Sequence, residues 1–230
     1  VIPCFKDDPE TLIGRHGPDL GERMSALGAS AADLVADLIE RYAIRCDFRR
    51  NGWALGMHGP AMRQALAERT RQWQARHLPV RVLDSDENAA PLGTNAYEGA
   101  YLDPRGGALN PSSFARGLAR AASEEGACIH AQSPVLSITR DGDRWRVDTP
   151  HGRVRADKVL IVTGAYSGAL RPDLERSVLP VQSIQIATRP LPEALRAGIL
   201  PQGTVVSDTR RLLYYFRFDA AGRFVFGGRG

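Results

Sequence analysis

Apolar positions at Leu27, Leu34, Leu38 and Tyr42, joined by Val35 and Ile39, recur at helical spacing behind Pro18 and Gly21. They predict one long amphipathic helix over roughly residues 19–43, which Gly28 weakens without ending. The period then shortens. Trp53-Ala-Leu-Gly-Met57 follows the Asn51-Gly52 turn as a strand, and Pro60 stands where a first-turn proline starts a helix running to about His77. Val80-Arg-Val-Leu83 reads as a short strand. Asp84 supplies a cap for a helical turn reaching Ala90, and Tyr97 to Leu102 returns as a strand into the turn Asp103-Pro-Arg-Gly-Gly107.

Asn110-Pro111 is an N-cap followed by proline at the first helical position, and Phe114, Leu118, Ala121 and Ala122 mark one face of a helix ending at Gly126. Cys128-Ile-His130 predicts a short strand. Val135 to Thr139 pairs with Arg144 to Asp148 across the Asp141-Gly142 turn, and His151-Gly152 leads to a third strand through Val154, a meander. Val159 to Val162 then reads as a buried strand that breaks at Thr163-Gly164-Ala165; reached by crossover, it predicts a parallel α/β sheet. Near the end, Leu212 to Phe218 alternates so that Tyr214 and Tyr215 point to opposite faces. Arg223-Phe-Val-Phe226 is a further strand, ended by Gly227 and Gly228.

Composition narrows the class. A chain of 230 residues with 43% hydrophobic content builds one large domain or two small ones. It shows no signal segment and no apolar run near the roughly eighteen residues a membrane span requires, so a truncated, cytoplasmic protein without a membrane span is expected. Cys4, Cys46 and Cys128 lack disulfide or zinc spacing and are expected to be reduced, buried thiols. The net charge of +4 comes almost wholly from arginine, since Lys6 and Lys158 are the only lysines. Only Arg49-Arg50 and Arg210-Arg211 cluster, which argues for solvated faces and against nucleic acid as a partner. His16, His58, His77, His130 and His151 share no spacing, and neither a metal site nor a Ser/His/Asp arrangement is expected.

Several segments in order carry a resemblance: Val1-Ile-Pro-Cys-Phe-Lys6, Gly21-Glu-Arg23, Asp103 to Pro111, Ala115 to Ala121, Ser133-Pro-Val135, Val162-Thr-Gly-Ala-Tyr166 and Gly227-Gly-Arg-Gly230. Across essentially its whole length the chain resembles the FAD-dependent amine and amino-acid oxidase family, the group with the D-amino-acid, glycine and sarcosine oxidases. It is most similar to the gamma-glutamylputrescine oxidase-like branch.

The resemblance implies a mixed α/β (α+β) fold, a glutathione-reductase-like FAD-binding domain with a three-stranded β-meander, interleaved with a mainly antiparallel substrate domain. Residues 1–44 form a connecting segment and long helix, 45–102 and 171–230 the substrate domain, and 103–170 the second half of the FAD-binding domain. It further implies that the Val135 backbone meets the adenine edge, that Thr163-Gly164-Ala165 is a second nucleotide contact, and that Gly227 and Gly228 lie on a strand against the isoalloxazine. Taken alone, Val135 is equally a strand valine, Thr163 to Ala165 a strand-to-helix turn, and Gly227-Gly228 a tight turn. Tyr214 and Tyr215 are candidates for lining a substrate cavity and equally candidates for core packing. Arg217 and Arg229 are candidates for meeting a carboxylate, or surface arginines.

The implied cofactor is FAD, the implied partner a small amine or amino acid, and the implied reaction oxidation of its C–N bond by hydride transfer to the flavin. Gly14-Arg-His-Gly17 does not supply the glycine-rich pyrophosphate turn of the family, because no apolar strand precedes it. That turn is expected before Val1 and the last flavin contacts beyond Gly230, so N- and C-terminal parts are expected to be missing and the segment alone to bind FAD weakly or not at all. Where sarcosine-oxidase relatives carry a lysine, this strand offers Phe224, Val225 and Phe226. Oxidase, dehydrogenase with a non-oxygen acceptor, and non-catalytic binding module therefore all stay open. The amine and the oligomeric state are not legible.

Overall fold

The computed structural model describes every residue except Arg171, Pro180 and Gly230, and every side chain except those and Ala89, Ala165, Ala169, Pro172, Leu174 and Arg229. In chain order the elements are α1 (Pro9–His16), α2 (Pro18–Arg41), β1 (Trp53–Gly56), α3 (Met62–Gln74), β2 (Arg81–Asp84), α4 (Ala89–Leu92) and β3 (Gly99–Asp103). They continue with α5 (Pro111–Glu124), β4 (Ser137–Asp141), β5 (Arg144–Thr149), β6 (Gly152–Ala156), α6 (Pro172–Glu175), β7 (Ser183–Pro190), α7 (Glu193–Arg196), β8 (Val205–Asp208), β9 (Tyr215–Phe218) and β10 (Arg223–Arg229). The chain divides into two units, Val1–Ala122 with Ser183–Gly230, and Ser123–Gln182.

The first unit is built on a seven-stranded sheet in the order β2-β3-β1-β8-β9-β10-β7. Among the described residues only β1 and β8 pair in parallel; every other neighbour is antiparallel. Strand alternation divides its apolar residues between two faces. Ala54 and Val206 pack with Leu83, Leu92 and Leu200, extended by Phe216, Phe218 and Phe224. On the other face Trp53, Tyr101 and Val205 pack with Leu66 and Trp73 of α3.

The long helix appears as α2, and two glycines on it are set by what they touch. A Cβ at Gly21 would lie 2.4 Å from the Ile13 Cα of α1, and one at Gly28 would lie 2.9 Å from the Phe5 ring. Helix α1, which takes in Gly14, Arg15 and His16, is an element that the apolar spacing did not announce. Pro9 starts it at the first helical position, and Gly17, at φ +82°, separates it from α2.

The second unit contains the expected meander, with Asp141 opposite Arg144 and Thr149 opposite Gly152. Two expected strands are absent from it. Cys128 to His130 and Val159 to Val162 carry no strand, and Leu160 and Val162 are 85% and 80% exposed. A short extended segment holds only when a neighbour takes its backbone hydrogen bonds, and no described strand pairs with either. Val135 likewise precedes β4 rather than belonging to it. Cys46 is buried as expected and Cys4 partly so, whereas Cys128 is exposed; all three are free thiols.

Candidate functional site

Four strands of the first unit place a row of side chains on one face. Ser207 of β8 stands opposite Tyr215 of β9, Tyr215 opposite Gly227 of β10, and Gly227 opposite Gln185 of β7. The next row aligns Arg217, Val225 and Ala187, and Trp53 with Val205 continues the same face toward β1. A cavity of about 320 Å³ opens here, lined by Trp53, Gln185, Val205, Ser207, Tyr215 and Arg217 and walled by the loop through Leu109. A second cavity of about 350 Å³ shares Leu109, Gln185, Arg217 and Val225 and reaches Asp47, Arg49 and Asp219. Arg217 stands where the two meet.

The wall is held rigidly. Arg49 and Ala108 exchange backbone hydrogen bonds of 2.8 and 2.9 Å. Gly107 is required there, since a Cβ would lie 2.1 Å from the Arg49 carbonyl oxygen. Buried Asp103 receives Arg105 at 2.6 Å, and Arg105 also donates to the Ala29 carbonyl at 2.8 Å, tying the turn to α2. Asn110 caps α5 by accepting the Ser113 amide at 3.1 Å.

Tyr215 lies across β10 where that strand has no side chain. A Cβ at Gly227 would fall 2.2 Å from Tyr215 Cε2, and the phenol reaches beyond it to share a hydrogen bond with the Ser183 hydroxyl of β7. Tyr214 points to the opposite face, 5.2 Å from Phe226 between ring centres and under the Arg210 guanidinium. The glycine pair therefore does not end a strand, contrary to expectation: Gly227 and Gly228 continue β10 through its pairing with β7. The tyrosine rings occupy the space that side chains there would need. Trp53 donates its indole N–H to Ser207 at 2.8 Å.

Charge in the cavity is unbalanced. Among the described residues no carboxylate pairs with Arg217, whose guanidinium makes one hydrogen bond, a long 3.4 Å contact to the Phe218 carbonyl. Asp219 is occupied by Arg223 at 2.6 Å. Burial there works against ionisation, but the Arg223 amide and guanidinium outweigh it and hold the Asp219 carboxyl below the usual carboxylate range.

Val135 and Thr163 to Ala165 lie in the second unit. Val135 is 39% exposed, and its N–H and C=O make no hydrogen bond among the described residues. Thr163 shares a hydrogen bond of 2.7 Å with Ser167, and Gly164 starts a 3-10 turn at φ +55°. A Cβ on Gly164 would meet nothing within 4 Å, so no close packing requires that glycine. The side chains of Ala165 and Arg229, and Gly230 entirely, lie outside the described residues. Among those residues no group of His, Cys, Asp and Glu gathers as a metal site, and no helix is long and apolar enough to cross a membrane.

Residues 8–230 match the family described as FAD dependent oxidoreductase. The chain belongs to that family. Its relatives include the probable oxidoreductase OrdL of Haemophilus influenzae, 28% identical over 99% of this chain and 54% of the relative. The gamma-glutamylputrescine oxidoreductase of Escherichia coli is 26% identical over 99% of this chain and 54% of its own. The chain thus spans about half the length of the curated relatives it matches. Among solved structures, L-proline dehydrogenase from P. horikoshii aligns with a TM-score of 0.75 at 16% identity, covering 100% of this chain and 57% of that one. Glycine oxidase from Geobacillus kaustophilus aligns with a TM-score of 0.66 at 23% identity, covering 88% and 54%. These two likenesses establish the fold. The expected family, its FAD dependence and the mixed α/β fold with a mainly antiparallel sheet all stand.

The sequence did not single out Trp53, Gln185, Val205 or Ser207 as lining residues, nor Ser183 as the partner of Tyr215. The alternation Ser183-Ile-Gln-Ile-Ala-Thr188 was the available signal for β7.

Proposed function

We propose that the protein oxidises the C–N bond of an amine or amino acid with FAD, and that the cavity between Tyr215 and Arg217 holds the substrate. The observation that carries this reading is the Arg217 guanidinium, which lines the cavity without a carboxylate partner beside a phenol fixed by Ser183. A guanidinium so placed offers a two-pronged contact to a substrate carboxylate. Trp53 and Val205 supply apolar wall that excludes water and favours the uncharged amine, the form able to lose hydride. The Tyr215 ring, held at its hydroxyl by Ser183, forms the wall beside the guanidinium.

FAD, when bound, supplies the acceptor for that hydride, and water then hydrolyses the resulting imine to a carbonyl compound. The residues fit such a group at two places. The Val135 backbone is exposed with both polar groups unused, which suits the edge of an adenine, and Thr163 with Gly164 offers open, small-residue backbone. In this reading residues 103–170 serve the cofactor, 45–102 with 171–230 serve the substrate, Gly228 lies toward the flavin strand contact, and the protein works in the cytoplasm.

The electron acceptor has a second reading. Val225 is what β10 contributes to the cavity lining, and Phe224 and Phe226 face the other way, so the strand presents no lysine to assist oxygen. This favours a dehydrogenase. The test is to mix FAD-loaded protein with γ-glutamylputrescine, glycine and L-proline, the compounds named by its relatives, and follow flavin bleaching. Bleaching by one of them supports the reading, and peroxide release against dye reduction then assigns the acceptor; a flavin that none of a broad amine and amino-acid panel reduces would overturn it.

A further inference from the structure

We propose that Gly227 and Ser183 are positioning residues that seat Tyr215 beside the cavity, and that this seat sets the length of substrate the cavity admits. The inference rests on the functional reading above and deepens it at the same site. Tyr215 and Gly227 are direct cross-strand partners, and the phenol must cross β10 to reach Ser183 on β7. It crosses at the residue without a side chain. A Cβ at Gly227 would lie 2.2 Å from Tyr215 Cε2, 2.4 Å from Cζ and 2.7 Å from the hydroxyl oxygen, so ring and methyl group exclude each other.

The strand has no room to yield, because β10 is paired on one side to β9 and on the other to β7. The ring must therefore leave. Tyr215 lines the cavity together with Arg217 and Val225, so a ring displaced from Gly227 has that space to enter. A displaced phenol would fill volume that a substrate tail otherwise takes. Ser183 acts from the far end by holding the hydroxyl, and it pins the ring against the strand rather than over the opening. Glycine at 227 is thus explained by the tyrosine it carries, and a flat cofactor ring on this face of Gly227 would compete for the same space.

The test is calorimetric titration of the FAD-loaded protein with straight-chain carboxylates from acetate to hexanoate. Wild type, Gly227→Ala, Tyr215→Ala and the double variant are compared, with thermal unfolding as the check on folding. Gly227→Ala is expected to weaken the longer members at least about tenfold and acetate less than about threefold, the difference expected when a side chain intrudes on a fitted pocket. In the Tyr215→Ala background the glycine substitution is expected to lose its effect, because the group it displaces is gone. A Gly227→Ala protein that binds the series like wild type overturns the seat, as does a double variant that binds the longer members more weakly than Tyr215→Ala alone. Should Gly227→Ala not fold, Ser183 decides: Ser183→Ala must weaken the longer members and Ser183→Thr must restore them, and an unchanged profile overturns the proposal. A wild type that binds none of the series contradicts the functional reading itself, and the seat with it.

Discussion

The carboxylate of Asp208, at the end of β8, accepts the backbone N–H of Tyr214 at 3.0 Å. It also accepts the Arg210 amide at 3.2 Å and pairs with the Arg210 guanidinium, while its own side chain is fully buried. One carboxylate therefore closes the connection between β8 and β9 and sets the phase of the second strand. That phase decides which of two adjacent tyrosines faces the cavity. Asp208→Ala leaves two amides and a guanidinium without their acceptor and is expected to cost about 2–4 kcal/mol. Urea unfolding with an unchanged slope and a lower midpoint is the expected record.

Helix α2 offers a case in which helix propensity and packing give opposite signs. Gly21→Ala would stabilise an exposed helix by about 1 kcal/mol. Here the new Cβ would lie 2.4 Å from Ile13 Cα and 2.6 Å from Ile13 N, both backbone atoms of α1. Relieving such overlap requires the helices to separate, at about 1–3 kcal/mol, so the net effect should be destabilising. A lowered melting temperature in Gly21→Ala confirms the helix contact; a raised one removes it.

In the meander, Asp148 accepts hydrogen bonds from Ser137 at 2.9 Å, Arg153 at 3.0 Å and Arg146 at 3.1 Å. The Ser137 hydroxyl chiefly, helped by the two arginines and opposed by desolvation, holds its carboxyl below the ordinary value of 3.8. Because the folded value is the lower one, the stabilisation is fully present above that ordinary value and disappears as pH falls through the folded value. Hydrogen-exchange protection of the β5 amides should decline over that acid range in wild type. Asp148→Asn should show a flatter profile there, and high salt should weaken the wild-type effect.

Much of this architecture is readable locally. The Asn110-Pro111 cap, the Asp141-Gly142 and His151-Gly152 turns and helix α2 all depend on neighbours within a few residues, and all appear in the structure, although α2 buries Gly21, Ser25, Gly28 and Ala32 while Leu27 and Leu34 of the expected apolar face are exposed. Val159 to Val162 shows the limit of such reading. Its composition is that of a buried strand, but a strand exists through its ladder partners, and these are not a property of four residues. The same limit hid the site. Trp53, Ser207, Tyr215, Gly227 and Gln185 come together through cross-strand register over more than 170 residues of chain, and no spacing in the sequence announces it. The alternation placing Tyr214 and Tyr215 on opposite faces was legible; which one meets the cavity depended on Asp208.

The most direct test of the account is anaerobic reduction of the FAD-loaded protein by matched pairs, an amino acid and the amine that lacks only its carboxylate, in wild type and Arg217→Met. Wild type is expected to be reduced at lower concentrations of the acid than of the amine. Arg217→Met is expected to raise the half-saturating concentration of the acid about a hundredfold, the loss expected for a charge-assisted pair in a partly enclosed site, while the amine shifts less than about threefold. Equal responses of the two proteins to both members of each pair would contradict it.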